Sequence, residues 1–406
     1  MSLDLALFSQ QVREMGVAVA AREGDVSSRT AQALARYLAQ AGNEQHWAHA
    51  VDYSGNRATP WLYAQAIEPL DTVRPLPPVP SEYAVVAADG SQIERDRHGI
   101  ADWFLINTGR VYLRYGTQAR ARLTSQPLLC YTDADLYITQ GARRVTIEGN
   151  YLSARRDMEE MQALLELVDT YLLADAATLP VLAMADGTLV RWALAGAEDF
   201  VEEALLQPYL AVLNQLHERG VPVVSYISRP RATEIAGVIR LMFCPDVDVP
   251  AHKGARCSEC SDQKAGREPS CYVLNGLTDA DILAGNLREG ERGPLFLSMS
   301  RVNMEKYGQH RIHFFPLRVG REVVRVELPA WVAGDPALVD RCHSLIYDQA
   351  VRGQGYPVAL SRAHDQAVVR SADRQSCIRI VEKNLFRNGL DPSRSRKQEQ
   401  KDQVAL

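Results

Sequence analysis

Apolar residues recur along the chain with two periods, and the switches between them mark out the elements. Over residues 3 to 41, Leu5, Leu7, Val12, Met15, Val17, Val19, Ala31, Leu34 and Leu38 stand among charges, with Gly24-Asp25 and Ser27-Ser28 between the two halves. This predicts two helices separated by a capped break. Residues 54 to 81 carry Gly55, Pro60, Pro75, Pro77, Pro78 and Pro80, a composition that resists regular structure and predicts a linker. Next, Tyr83-Ala84-Val85-Val86-Ala87-Ala88 is a continuous apolar run, which predicts a buried strand ending in a tight Asp89-Gly90-Ser91 turn. Residues 103–107 and 110–115 read as two strands joined by a Thr108-Gly109 hairpin turn.

The strongest helical pattern is 152–173, where Met158, Met161, Leu164, Leu165, Val168, Tyr171 and Leu172 fall on one face. A second buried strand, 181–185, follows and also runs into an Asp-Gly pair, Asp186-Gly187-Thr188-Leu189. A helix over 202–219 then leads into a third apolar run, 221–228, whose Pro222 is tolerable at a strand start. Such strand, helix, strand units build parallel sheets with ligand sites at the strand ends. Further on, 312–317 and 322–328 alternate as a hairpin around Gly320, and 336–352 reads as a helix capped by Asp335 and stopped by Gly353. The polar tail from Ser393 onward predicts disorder.

At 406 residues, 46% hydrophobic and 23% charged, the chain buries a core and has room for two or three domains, or one large α/β domain with insertions. The net charge of −5 excludes a general positive field, so any polyanion must meet a local basic surface. No apolar stretch approaches the roughly 18 residues of a membrane span, and the start, MSLDLALFSQQ, lacks signal-peptide character. Seven cysteines, an odd number, argue against a disulfide framework. The expectation is a cytoplasmic protein with reduced thiols and no membrane contact.

Two Asp-Gly-Ser/Thr segments, each following a buried strand, bring Asp89 and Asp186 to one sheet edge if the strands run the same way. Clustered carboxylates suit hard cations such as Mg²⁺ or Mn²⁺. The intervening helix offers Glu159 and Glu160; at about 100° per residue Glu160 borders the apolar face and Glu159 points nearly opposite. Met184 stands where haloacid-dehalogenase-like phosphatases carry a nucleophilic Asp, and a thioether cannot form an aspartyl-phosphate, so that family is set aside. Asp-Gly segments at strand ends also suit a cation better than the raised-pKa acid of a glycosidase.

Taken in order, Ala88-Asp89-Gly90-Ser91, Asp186-Gly187-Thr188-Leu189, Tyr226-Ile227-Ser228-Arg229-Pro230-Arg231, the stretch from His313-Phe314-Phe315 to Arg325-Val326-Glu327-Leu328-Pro329, and Gly355-Tyr356-Pro357 to Ala363-His364 resemble the NurA family of DNA-repair nucleases. The resemblance covers roughly residues 80 to 385 and implies an RNase H-like α/β core with a mixed sheet. It further implies use of Mn²⁺ (or Mg²⁺), 5′ to 3′ exonuclease and single-strand endonuclease activity on DNA, a homodimer, and work with the hexameric HerA translocase. Carried over to this chain, Asp89, Asp186 and a helix Glu, either Glu159 or Glu160, are metal ligands, and Tyr226 and His364 belong to the site. Thr188 replaces the commoner Ser and keeps the hydroxyl; Arg229 stands where Lys is also expected, and with Arg231 would hold phosphates.

The organisation read this way is a helical arm over 1–53, a Pro-rich linker over 54–81, a nuclease domain over 82–385 with a Cys-bearing insertion at 244–271, and a polar tail over 386–406. Cys244, Cys257, Cys260 and Cys271, spaced C-x12-C-x2-C-x10-C, are compatible with structural Zn²⁺ or an iron–sulfur cluster; Cys130, Cys342 and Cys377 are scattered and read as core. Arg110, Arg114, Arg120 and Arg122 near the first carboxylate strand, and Arg229, Arg231 and Arg240 after the third apolar run, with Tyr112, Tyr115 and Tyr226 interleaved, suggest a channel for a DNA strand. The alternative to an enzyme is a catalytically silent scaffold that docks a DNA translocase.

Overall fold

The computed structural model describes residues 4–55, 61–95, 101–172, 179–246, 257 and 260–389. Part of the Pro-rich stretch, part of the Cys-bearing segment and the tail from residue 390 lie outside the described residues. The chain divides into two compact units, residues 77–226 with 328–406, and residues 1–76 with 227–327.

The first of these is α/β. Its strands lie in the order Val223–Ile227, Val181–Asp186, Tyr83–Ile93, Phe104–Tyr115, Arg120–Cys130. The first three are parallel and the last two antiparallel, so the sheet is mixed. The parallel strands are buried along most of their length, as expected of strands covered on both faces, which read as continuous apolar runs. Crossovers through the helices Asn150–Leu167 and Asp199–Glu218 keep them parallel. Register pairs Ala88 with Ala185 and Asp186 with Tyr226. Asp89 and Asp186 therefore leave the sheet side by side at the C-terminal ends of neighbouring strands.

Two expected turns are absent, and the reason is the same in both. Asp89-Gly90 continues a strand that runs to Ile93, and Thr108-Gly109 lies in the middle of one strand, Phe104–Tyr115, rather than between two. At each place glycine serves close approach. A Cβ on Gly90 would lie 2.6 Å from Glu160 Oε1, and one on Gly109 only 2.0 Å from the Ala363 carbonyl and 2.5 Å from the Ala367 amide.

Gly109 thus lets the helix Val358–Ala367 lie directly on the sheet. The end of that helix is tied there by side chains: Asn107 Nδ2 donates to the carbonyls of Ala367 at 2.8 Å and Gln366 at 3.2 Å, and the Ser91 hydroxyl donates to Ala367 as well. These bonds satisfy carbonyls that a helix terminus otherwise leaves unpaired. Gly109→Ala is expected to cost about 3 kcal/mol, at the upper end of overpacking penalties because its neighbour is backbone and cannot rotate away. Urea unfolding of the variant beside wild type measures this; an unchanged midpoint would refute the close approach.

The second unit starts with one helix, Leu5–Leu38, where two were expected. Gly24 and the serines weaken the helix by roughly 1 kcal/mol or less each but remove no hydrogen-bond donor, as proline would. Asp25 also pairs with Arg29 one turn on, at 2.7 Å. A second helix, Glu44–Gly55, contributes Trp47, whose ring meets Tyr37 edge-to-face at 5.9 Å and whose Nε1 donates to Ala64 at 2.9 Å. Ala64–Ala66 is a short strand beside Phe296–Ser298 and the Ile312–Val319 and Glu322–Pro329 hairpin. Trp47, Tyr37, Phe296 and Phe314 form its core with the buried helix Glu234–Met242. Among the described residues no helix is long and apolar enough to cross a membrane.

Candidate active site

Three carboxylates meet at the ends of the parallel strands. Asp89 Oδ1 accepts its own Gly90 amide at 2.8 Å, and Oδ2 lies 2.7 Å from His364 Nδ1. Asp186 stands at the end of the next strand, where Gly187, with φ +70°, turns the chain away and donates to Asp186 Oδ1 at 2.8 Å. Glu160 comes from the helix Asn150–Leu167 and rests over Gly90, in the space that the missing Cβ leaves. Its Oε1 accepts from Arg156 Nε at 3.1 Å.

The electrostatics follow from this crowding. Burial pushes the Glu160 carboxyl up to about 8, with Asp157 and then Asp89 adding to the rise against the pull of Arg156 and Arg191. Asp186 is also raised, by burial first and by Asp89, while a hydrogen bond from Tyr356 opposes the shift. Like charges confined in a poorly solvated place disfavour one another's ionisation. Such a cluster is short of positive charge, and its oxygen donors are those a hard divalent cation takes. Among the described residues, no three His, Cys, Asp or Glu side chains already stand close enough to enclose an ion.

Of the residues singled out in the sequence, Asp89, Glu160, Asp186 and His364 come together. Glu159 does not: it pairs with Arg155 at 2.9 Å, one turn back on its own helix. Tyr226 is buried, and its hydroxyl donates to the Gly355 carbonyl at 3.0 Å. Its ring packs edge-on against Tyr356 at 5.5 Å, and the Tyr356 hydroxyl is the one bonded to Asp186.

Residues 83–369 match the NurA domain. The chain belongs to the NurA family. No curated protein matches it. The NurA match begins at the first residue of the strand that carries Asp89 and ends just past the helix that carries His364. It encloses all three carboxylates and places the chain in a family of nucleases that act in DNA processing.

Sequence reading did not assign Tyr356 within this NurA domain, although it sits in the quoted Gly355-Tyr356-Pro357 segment. It also missed the cations that offset Glu160: Arg156, and Arg191, which reaches Asp157 at 2.6 Å. Arg156 was legible as the residue one turn before Glu160; Arg191, distant in sequence, was not. The suggested base-stacking role of Tyr112 and Tyr226 is corrected, since both rings are buried and Tyr112 stacks on Tyr171 at 5.0 Å. Arg110 is likewise engaged, with Glu166 at 2.7 Å. In the second unit Arg229 is exposed, adopts φ +45° and pairs with Glu322 at 3.0 Å, while Arg231 is exposed. Cys130 and Cys342 are buried, and Cys377 is half-buried.

Proposed function

We propose that this chain is a metal-dependent deoxyribonuclease of DNA end processing. In this reading it has 5′ to 3′ exonuclease and single-strand endonuclease activity, an RNase H-like core, and works as a homodimer with a HerA-type hexameric translocase. The observation that carries the reading is the meeting of Asp89, Glu160 and Asp186 at adjacent strand ends inside the NurA domain. The donor set suits Mn²⁺ or Mg²⁺ in kind, because it is all carboxylate and its raised protonation marks a deficit of positive charge. Asp89, Glu160 and Asp186 would hold such ions, which supply charge to offset that developing on the attacking and leaving oxygens of a phosphodiester.

The chain's own groups do the rest. Asp89 orients the His364 imidazole through Nδ1, leaving Nε2 of a largely exposed ring to exchange a proton with substrate oxygen or to hold a phosphate. Tyr356 fixes the Asp186 carboxylate by donating to it, and Tyr226 fixes Tyr356 by packing. Arg229 and Arg231 are the phosphate contacts of this reading, suited to it by the bidentate guanidinium.

Incubation of the purified chain with end-labelled single-stranded and duplex DNA tests the proposal. Degradation in Mn²⁺ or Mg²⁺, release from the 5′ end first, and silence in EDTA are expected. No cleavage under any condition, even with the translocase and ATP present, would replace the nuclease with the scaffold that docks a translocase.

A further inference from the structure

The nuclease reading does not use the cysteines of the Cys-bearing segment, yet its described residues are tied together by specific hydrogen bonds. Cys244 follows the buried helix Glu234–Met242, with its amide bonded to the Leu241 carbonyl at 3.0 Å. Cys260 precedes the helical turn Ser261–Lys264, and Cys271 lies in the turn Ser270–Leu274. Buried and half-buried carboxylates hold these turns: Asp246 accepts from the Ser261 amide at 2.9 Å, and Asp262 from the Ser270 amide at 3.1 Å and from Arg267 at 2.9 Å. The result is that Cys244, Cys257, Cys260 and Cys271, spread over 28 positions counted from 244 to 271, line one cavity of about 330 Å³. All four are free thiols.

We propose that these four cysteines ligate an iron–sulfur cluster in that cavity. The size of the cavity favours it over a single zinc ion. A tetrahedral zinc needs every sulfur about 2.3 Å from one point, which draws four thiolates into a far smaller space. The cavity of about 330 Å³ is far larger than the roughly 10–15 Å³ that one water molecule requires. A multi-iron cluster holds its four thiolates apart by its own width and fills such a space.

The walls suit an anionic cluster that is shielded on the side of Cys244, Cys260 and Cys271 and reaches solvent at the exposed Cys257. Trp61 and Leu241 contribute apolar lining, and Arg240 supplies positive charge. That guanidinium is held in place over the Trp61 ring at 4.1 Å and by bonds to Asn275 Oδ1 at 2.8 Å and the Cys271 carbonyl at 3.3 Å. Cations and hydrogen-bond donors beside cluster sulfurs stabilise the bound state. The cluster pins the turns that carry Cys260 and Cys271 to the end of the Glu234–Met242 helix, and no electron transfer is part of the proposal.

The full chain, purified without oxygen or chelator, is assayed for iron, acid-labile sulfide and zinc, and its visible absorption is recorded. Iron and sulfide in equal amounts, roughly four of each per chain, with the broad absorption of thiolate-bound iron, are expected. The Cys257→Ser/Cys260→Ser variant should lose both while keeping its helix content and elution volume. One zinc per chain without iron would overturn the proposal. So would failure of the wild-type chain to take up either element after reconstitution with ferrous iron and sulfide, a result independent of whether any variant folds.

Discussion

Asp89→Asn and Asp186→Asn are each expected to lower the proposed metal-dependent DNA cleavage by about 10³-fold or more, equivalent to roughly 4 kcal/mol of transition-state stabilisation. Each substitution keeps shape and removes charge. Asparagine still accepts from the Gly90 or Gly187 amide, as the carboxylate does at 2.8 Å in both places, so the strand ends stay formed. In the proposed reading the loss falls on the negative charge that would hold a divalent cation. Single-turnover cleavage of end-labelled single-stranded DNA in Mn²⁺ reads the effect, with thermal unfolding as the control for folding. Either variant cleaving within tenfold of wild type would remove that carboxylate from the chemistry.

Glu160 makes the stability of the chelated protein depend on pH. Its carboxyl is raised from 4.5 to about 8, chiefly by burial. Between those values the folded chain keeps a proton that the unfolded chain has released, so stability falls as pH rises through the window. Below about 4.5 both states are protonated, and above about 8 both are ionised, so the dependence is confined to that interval. The gap bounds the loss at about 5 kcal/mol, and a loss of about 2–5 kcal/mol between pH 5 and pH 8.5 is expected. Glu160→Gln, which is neutral throughout, should remove most of this slope and be the more stable chain at pH 8.5 in EDTA. Mn²⁺ should then stabilise wild type more than the variant. Urea unfolding at the two pH values measures both; parallel slopes in wild type and variant would refute the assignment.

Some of this site was legible before any coordinates. The apolar runs at 83–88 and 181–185 marked two buried strands, which set Asp89 and Asp186 at one edge on the condition that they run the same way, and the structure shows them parallel. Helical periodicity separated Glu160 from Glu159, since neighbouring positions point about 100° apart. Glycine misled twice because its signal is ambiguous. The Gly187 position does turn, whereas Gly90 and Gly109 lie within strands and leave room for Glu160 and for the Ala363 backbone. The two uses look alike in one dimension, because what a Cβ would strike is far away along the chain.

Local pattern alone therefore determined the two buried strands that lead to Asp89 and Asp186, the amphipathic helix between them and the family motifs. These depend on hydrophobic period and on residues a few positions apart, which neighbouring chain atoms enforce. Only the tertiary structure decided that His364 meets Asp89, that Tyr356 rather than Tyr226 bonds Asp186, and that four cysteines line one cavity. Those pairings join residues up to 275 positions apart. They are set by how helices and turns pack, which is long-range geometry that no local period encodes.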